Sequence, residues 1–159
     1  MKRYGWIAAT AFLADRITKG LTDRIPPEGS VLIPGLLGLR AVRNTGMAFS
    51  LLRGNPWLLG LLSLLIIAGA FVFLRGKKLS RLARTGLMLM LGGAAGNMAD
   101  RFLTGYVQDM IEFLFVDFAI FNVADACLVT GCALVMLAMI RSGEEQNEKA
   151  RGLPPSERH

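Results

Sequence analysis

"AIFNVADACLVTGCALVMLAMI", residues 119–140, decides the fold. Its composition is that of a membrane helix except near its start, where Asn122 and Asp125 stand one turn apart. Crossing a hydrocarbon core of ~30 Å takes roughly 20 apolar residues as a helix, and this stretch has that length. A carboxylate at the mouth of such a helix is costly in lipid, so Asp125 must face protein or water.

The rest of the chain agrees with a membrane setting. Of its 159 residues, 53% are hydrophobic and only 19% are charged, and the mean hydropathy is +0.45. A soluble domain of this size has too little interior to hide so much apolar surface. Three further stretches qualify as spans, at about 4–22, 57–74 and 82–102, beside 119–140. The expected architecture is a mainly α membrane protein built as a four-transmembrane-helix bundle.

The net charge of +6 orients this bundle and does not call for nucleic acid as a partner. Arg75, Lys77, Lys78, Arg81 and Arg84 crowd the connection between the second and third spans, and Lys2 and Arg3 precede the first. By the positive-inside rule these segments are cytoplasmic. Four spans then place both termini in the cytoplasm and residues 23–56 and 103–118 outside. The second outer loop has no Lys or Arg; the first carries Arg24, Arg40, Arg43 and Arg53. Residues 1–20 have the look of a signal peptide, but Asp15, Arg16 and Lys19 follow the apolar run with no small-x-small cleavage site, so the segment reads as a span. Cys127 and Cys132 lie five apart on different helix faces and read as packing residues. Residues 1–140 form one membrane domain, and the polar tail 141–159, broken by Pro154-Pro155, is expected to be a disordered cytoplasmic extension.

Position separates working polar residues from passive ones. At 1.5 Å per residue, Asp15, Asn97 and Asp125 all lie about 8–10 Å below the outer ends of their spans. Helical spacing puts Asp15 with Lys19 on one face, Asn97 with Asp100 and Arg101 on another, and Asn122 with Asp125 on a third. These stripes must turn inward, because lipid satisfies none of them. Asp15–Lys19 and Asp100–Arg101 read first as scaffolding pairs. Asp125 has no such partner nearby in sequence, and neither has Asp109 in the outer stretch YVQDMIEF, where Val107, Ile111 and Phe113 suggest an extended segment. Two readings stand at this point: a loop acid and a helix-capping acid, or a pair of carboxylates of which one keeps its proton near neutral pH.

Other chemistries drop out. The single histidine is His159, so no HExxH zinc site and no Ser-His or Cys-His pair is available. "GGAAGN" at 92–97 lies within a span with no strand before it, which suits close helix packing and not phosphate binding. An enzyme built on this chain uses carboxylates, with no metal and no cofactor. The competing class is a small transporter or ion-conducting bundle with Asp15, Asp100 and Asp125 as a relay; acids gathered at one depth argue against it.

DRITK at 15–19, NTGMAFS at 44–50, GNMADR at 96–101, GYVQDMIEF at 105–113 and FNVADA at 121–126, in that order against four spans, resemble the bacterial lipoprotein signal peptidases (signal peptidase II). The resemblance covers nearly all of the chain outside the tail. It implies an aspartyl endopeptidase of the bacterial inner membrane, working near the extracytoplasmic face. It would remove signal peptides from prolipoproteins by cutting just before a diacylglyceryl-modified cysteine. The dyad it implies is Asp109 and Asp125, with Asp15, Lys19, Asn44, Asn97, Asp100, Arg101 and Asn122 in support. Arg43, Asn44 and Arg101 would meet substrate backbone or lipid headgroups. Residues 23–56 would supply a small extracytoplasmic β-rich cradle. The implied partners are lipid-modified prolipoprotein signal peptides and membrane lipids, and the protein is expected to be a monomer. Val116-Asp117-Phe118 is locally closer to the family's Val-Asp-Phe, but Asp109 has the expected spacing of nine from Asp100, and Met110 stands where the family usually has phenylalanine.

Overall fold

Helix α1, Gly5–Gly20, carries the first polar stripe: Ala11, Asp15 and Lys19 are its buried residues, spaced by four. The structure, a computed structural model, describes residues 2–46, 55–74 and 79–150. The later part of NTGMAFS, the basic residues Arg75, Lys77 and Lys78, and the end of the tail lie outside the described residues. After a 3-10 turn at Thr22–Arg24 come strands β1, Ser30–Ile33, and β2, Leu37–Asn44. Helix α2, Pro56–Leu74, has no acidic residue in its first turn and no basic one in its last. Helix α3, Arg81–Leu103, starts at Ser80, whose side chain caps it by accepting from the Ala83 N–H. Strand β3, Val107–Phe113, and helix α4, Val123–Ala150, complete the chain.

Helix α3 is the centre of the helical body, packing against α1, α2 and α4. Its glycines make this possible. A Cβ at Gly92 would strike the Ala8 carbonyl oxygen of α1, and one at Gly93 the Ala124 carbonyl oxygen of α4. The GGAAGN run therefore brings three backbones together, as small residues do between membrane helices.

The segments before α2 and after α3 join in one three-stranded antiparallel sheet of order β1-β2-β3. The first long loop supplies β1 and β2, as the cradle expectation has it, and YVQDMIEF supplies β3. The register slips between Leu39↔Ile111 and Val42↔Asp109, and such irregularities re-aim side chains near sites. Beyond the slip, Asn44 lies opposite Val107, diagonal to Asp109 and within reach of it. Gly105 adopts φ 79°, ending α3 in the left-handed conformation that glycine takes without strain. This turns the chain sharply from Asp100 and Arg101 into β3.

Two boundaries differ from expectation. The last helix begins at Val123 and not at 119, because Phe121 exchanges backbone hydrogen bonds with Ile111 of β3 and Asn122 caps the helix. At its other end α4 continues to Ala150, ten residues past the expected end of the last span. The run EEQNEKA is rich in good helix formers, and a helix already nucleated in the body extends through them cheaply. Within α4, Val123–Gly143 has 21 residues with a mean hydropathy of 2.2, enough to cross a membrane. Pro56–Gly69 of α2 is a shorter apolar run. Polar residues interrupt α1 and α3, and they build the site.

Candidate active site

Asn122 is fully buried and works in three directions. Its Oδ1 accepts from the Asp125 N–H at 2.9 Å, while the Asp125 Oδ2 accepts from the Asn122 N–H at 3.3 Å. That reciprocal pair is a capping box at the start of α4. The Asn122 Nδ2 then donates to Asp109 Oδ1 at 2.6 Å and to Asn97 Oδ1 at 3.2 Å. One side chain thus ties both unpaired carboxylates together. The Phe121–Ile111 bridge makes this possible by placing the next residue beside Asp109.

The remaining oxygens of the two acids are also met by amides. Asp109 Oδ2 accepts from Asn44 Nδ2 at 3.0 Å, and Asp125 Oδ1 accepts from Asn97 Nδ2 at 2.7 Å. Ion pairs among the described residues involve Asp15, Asp100 and Glu112, and neither Asp109 nor Asp125. Asp109 is 3% exposed. Burial pushes its carboxyl up to about 6, against the amide bonds from Asn44 and Asn122, with the charge of Asp125 adding to the rise and Lys19 opposing it. An acid so placed holds a proton far closer to neutrality than a solvated one.

Both acids open on one cavity of about 820 Å3, which Arg43, Asn44, Asn97 and Arg101 also line. Much of the remaining lining is apolar, with Phe113, Phe118 and Phe121 joined by Leu128 and Val129 of α4. Arg101 joins two segments of this lining: its Nη2 donates to the Gly46 carbonyl at 3.2 Å and its Nη1 to the Asn97 carbonyl at 3.3 Å. Arg43 lies over the Tyr106 ring, 5.1 Å from its centroid. Asp117 is exposed and lines no part of this cavity.

Beneath the cavity, Asp15, Lys19 and Asp100 form a buried charged cluster. Lys19 Nζ lies 2.9 Å from Asp15 Oδ2, 2.7 Å from Asp100 Oδ2 and 2.9 Å from Asn97 Oδ1. The other oxygen of Asp15 accepts from the Ala124 N–H at 3.1 Å, satisfying an orphan donor at the positive end of α4. The expected pairing of Asp100 with Arg101 is corrected: Asp100 binds Arg16 and Lys19 of α1. One residue along a helix is a turn of 100°, so Asp100 faces α1 while Arg101 faces the cavity. Arg16, bridging Asp100 and Asp15, is the participant that sequence reasoning passed over. Its place in DRITK beside Asp15 was the available signal; helical spacing from Asp15 and Lys19 hid it. Among the described residues no cluster of three His, Cys, Asp or Glu has the arrangement of metal ligands.

A helical body with a membrane-length helix, and a cavity floored by two amide-held acids, define a membrane enzyme. Comparison with known proteins narrows the class. A sequence model of "Signal peptidase (SPase) II" matches residues 7–141. Proteins named lipoprotein signal peptidase from Trichormus variabilis and Thermosynechococcus vestitus are 39% and 38% identical, covering 94% and 84% of this chain and 97% and 88% of their own. A solved structure described as a bacterial membrane enzyme, determined in meso at 2.3 Å, superposes with a TM-score of 0.82 at 28% identity, over 91% of this chain and 92% of its own. The chain belongs to the signal peptidase II family of membrane aspartic peptidases.

Proposed function

We propose that Asp109 and Asp125 are the dyad with which this signal peptidase cuts a prolipoprotein just before its diacylglyceryl-modified cysteine. The observation that carries the reading is Asn122, whose amide and backbone hold both acids at the floor of one cavity. The ionised member takes a proton from water, which attacks the scissile carbonyl. The protonated member hydrogen-bonds the carbonyl oxygen and stabilises the charge that develops there, and the proton taken from water passes to the leaving amine as the C–N bond breaks. The pair titrates as a unit. Arg43, Asn44 and Arg101 are placed to meet substrate backbone or headgroup oxygens, and the apolar wall suits a signal helix or acyl chain.

The same reading takes α1 to α4 as four spans, with both termini cytoplasmic, the sheet on the outer side and residues 1–140 as one domain. Exposed Trp6 at the start of α1 and exposed Trp57 at the start of α2 support it, since tryptophan concentrates at membrane interfaces. The functional unit is a monomer in contact with membrane lipids. The test is reconstitution into liposomes with a diacylglyceryl-modified prolipoprotein and with the unmodified precursor. Cleavage of the modified form alone, leaving the cysteine as the new N-terminus, is expected. Ion or solute flux without cleavage would refute the reading.

A further inference from the structure

Between Asp125 and Arg141, helix α4 carries a single side chain with a hydroxyl, amide or charge, Thr130. It is exposed and lines the same cavity as the two acids, beside Leu128 and Val129. A hydroxyl within an apolar helix can bond back to the carbonyl one turn earlier. Thr18, Ser63, Thr104 and Ser142 do so here, at 2.8–2.9 Å. Among the described residues the Thr130 hydroxyl has no such bond to Ala126 and no other partner, so its proton is free for whatever fills the cavity.

The chemistry of cleavage supplies an acceptor for it. Thr130 stands one turn and a half past Asp125, a rise of about 7.5 Å along α4. That rise matches about two residues of extended chain at ~3.3 Å each. A signal segment reaches the dyad as the end of an apolar helix, and a helix leaves its last four carbonyls without intrahelical donors. The dyad meets the scissile carbonyl; those before it lie against apolar lining, where an unmet carbonyl is costly. We propose that Thr130 donates a hydrogen bond to the backbone carbonyl of the third residue before the substrate cysteine, and so helps set which bond lies over the dyad. The inference rests on the peptidase reading above and deepens it by assigning a contact to the signal side of the cleaved bond. Ester carbonyls of the diacylglyceryl group are acceptors of the same chemistry. They hang from the cysteine, beyond the cleaved bond, whereas Thr130 lies on the side where α4 descends with the signal segment.

Cleavage of a synthetic diacylglyceryl-modified lipopeptide by the parent, Thr130→Val and Thr130→Ser, each reconstituted in liposomes, tests this. Valine keeps the shape and loses the donor; serine keeps the donor. Thr130→Val should melt with the parent and show KM raised roughly five- to tenfold, the worth of one buried hydrogen bond, with kcat little changed. Thr130→Ser should stay near the parent. The difference between parent and Thr130→Val should vanish on a lipopeptide with an (E)-alkene in place of the amide that follows the third residue before the cysteine. It should persist on one with ether-linked alkyl chains, which has no ester carbonyl. A difference that persists on the alkene and vanishes on the ether assigns the hydroxyl to the lipid and overturns the proposal. Equal kinetics of parent and Thr130→Val on the all-amide, ester-linked lipopeptide overturn it too, as does the same loss on all three substrates. A parent that leaves the lipopeptide whole removes the peptidase reading and the inference with it.

Discussion

Lys19 Nζ donates to Asn97 Oδ1 at 2.9 Å, and this contact decides which way the Asn97 amide faces. With Oδ1 committed to the ammonium, Nδ2 is left to donate to Asp125. The same ammonium neutralises Asp15 and Asp100, both buried. Lys19→Met leaves these carboxylates short of a partner, and the loss of one member of a buried ion pair costs about 3–5 kcal/mol. Thermal unfolding in detergent micelles should show that loss, with cleavage falling beyond what the unfolded fraction explains.

Asn122 separates capping from catalysis. Serine caps a helix about as well as asparagine, but its side chain is too short to reach Asp109. Asn122→Ser should stay within roughly 1–3 kcal/mol of the parent, the cost of a lost buried hydrogen bond, while peptidase activity collapses. Asn122→Ala loses the cap too, a further ~1 kcal/mol. Equal activity in parent and Asn122→Ser would remove Asn122 from the working site.

The glycines of α3 make a steric prediction. A Cβ at Gly96 would lie 2.5 Å from Asp15 Oδ2, whereas one at Gly69 of α2 meets nothing within 4 Å. Gly96→Ala should destabilise by about 1–3 kcal/mol through overpacking and reduce cleavage by displacing Asp15 from the Ala124 N–H. Gly69→Ala should be neutral or gain up to about 1 kcal/mol from helix propensity. Paired melting curves check both.

The raised carboxyl of Asp109 gives stability a pH dependence. The folded chain holds this proton up to about 6, from an ordinary value of 3.8. Between those values the folded state binds more protons than the unfolded one, so stability falls as pH rises, and the full cost applies above about 6. At 1.36 kcal/mol per pH unit this amounts to about 3 kcal/mol. Parent and Asp109→Asn melting temperatures should diverge across that window, with the variant lacking the downward slope.

Much of this site was legible in the sequence, and the reasons are physical. Helical spacing placed Asp15 with Lys19 and Asn122 with Asp125, because both pairs are local. The alternation around Asp109 announced β3, and the glycines of GGAAGN announced close packing. What stayed hidden depends on contacts between distant segments. The Phe121–Ile111 bridge delays α4 to Val123, and no local signal in AIFN reports it. Arg16 reaches an acid 84 positions away, whereas the adjacent Asp100 and Arg101 face different neighbours. The helical run past Arg141 was hidden by its polarity, which resembles a solvated tail as much as an exposed helix.

The most direct measurement is the cleavage rate of a diacylglyceryl-modified prolipoprotein by Asp109→Asn and Asp125→Asn separately, each shown by its melting curve to be folded. Both should lose activity by several orders of magnitude, since neither remaining acid can serve as base and acid at once. Cleavage near the parent rate by either folded variant would contradict the dyad.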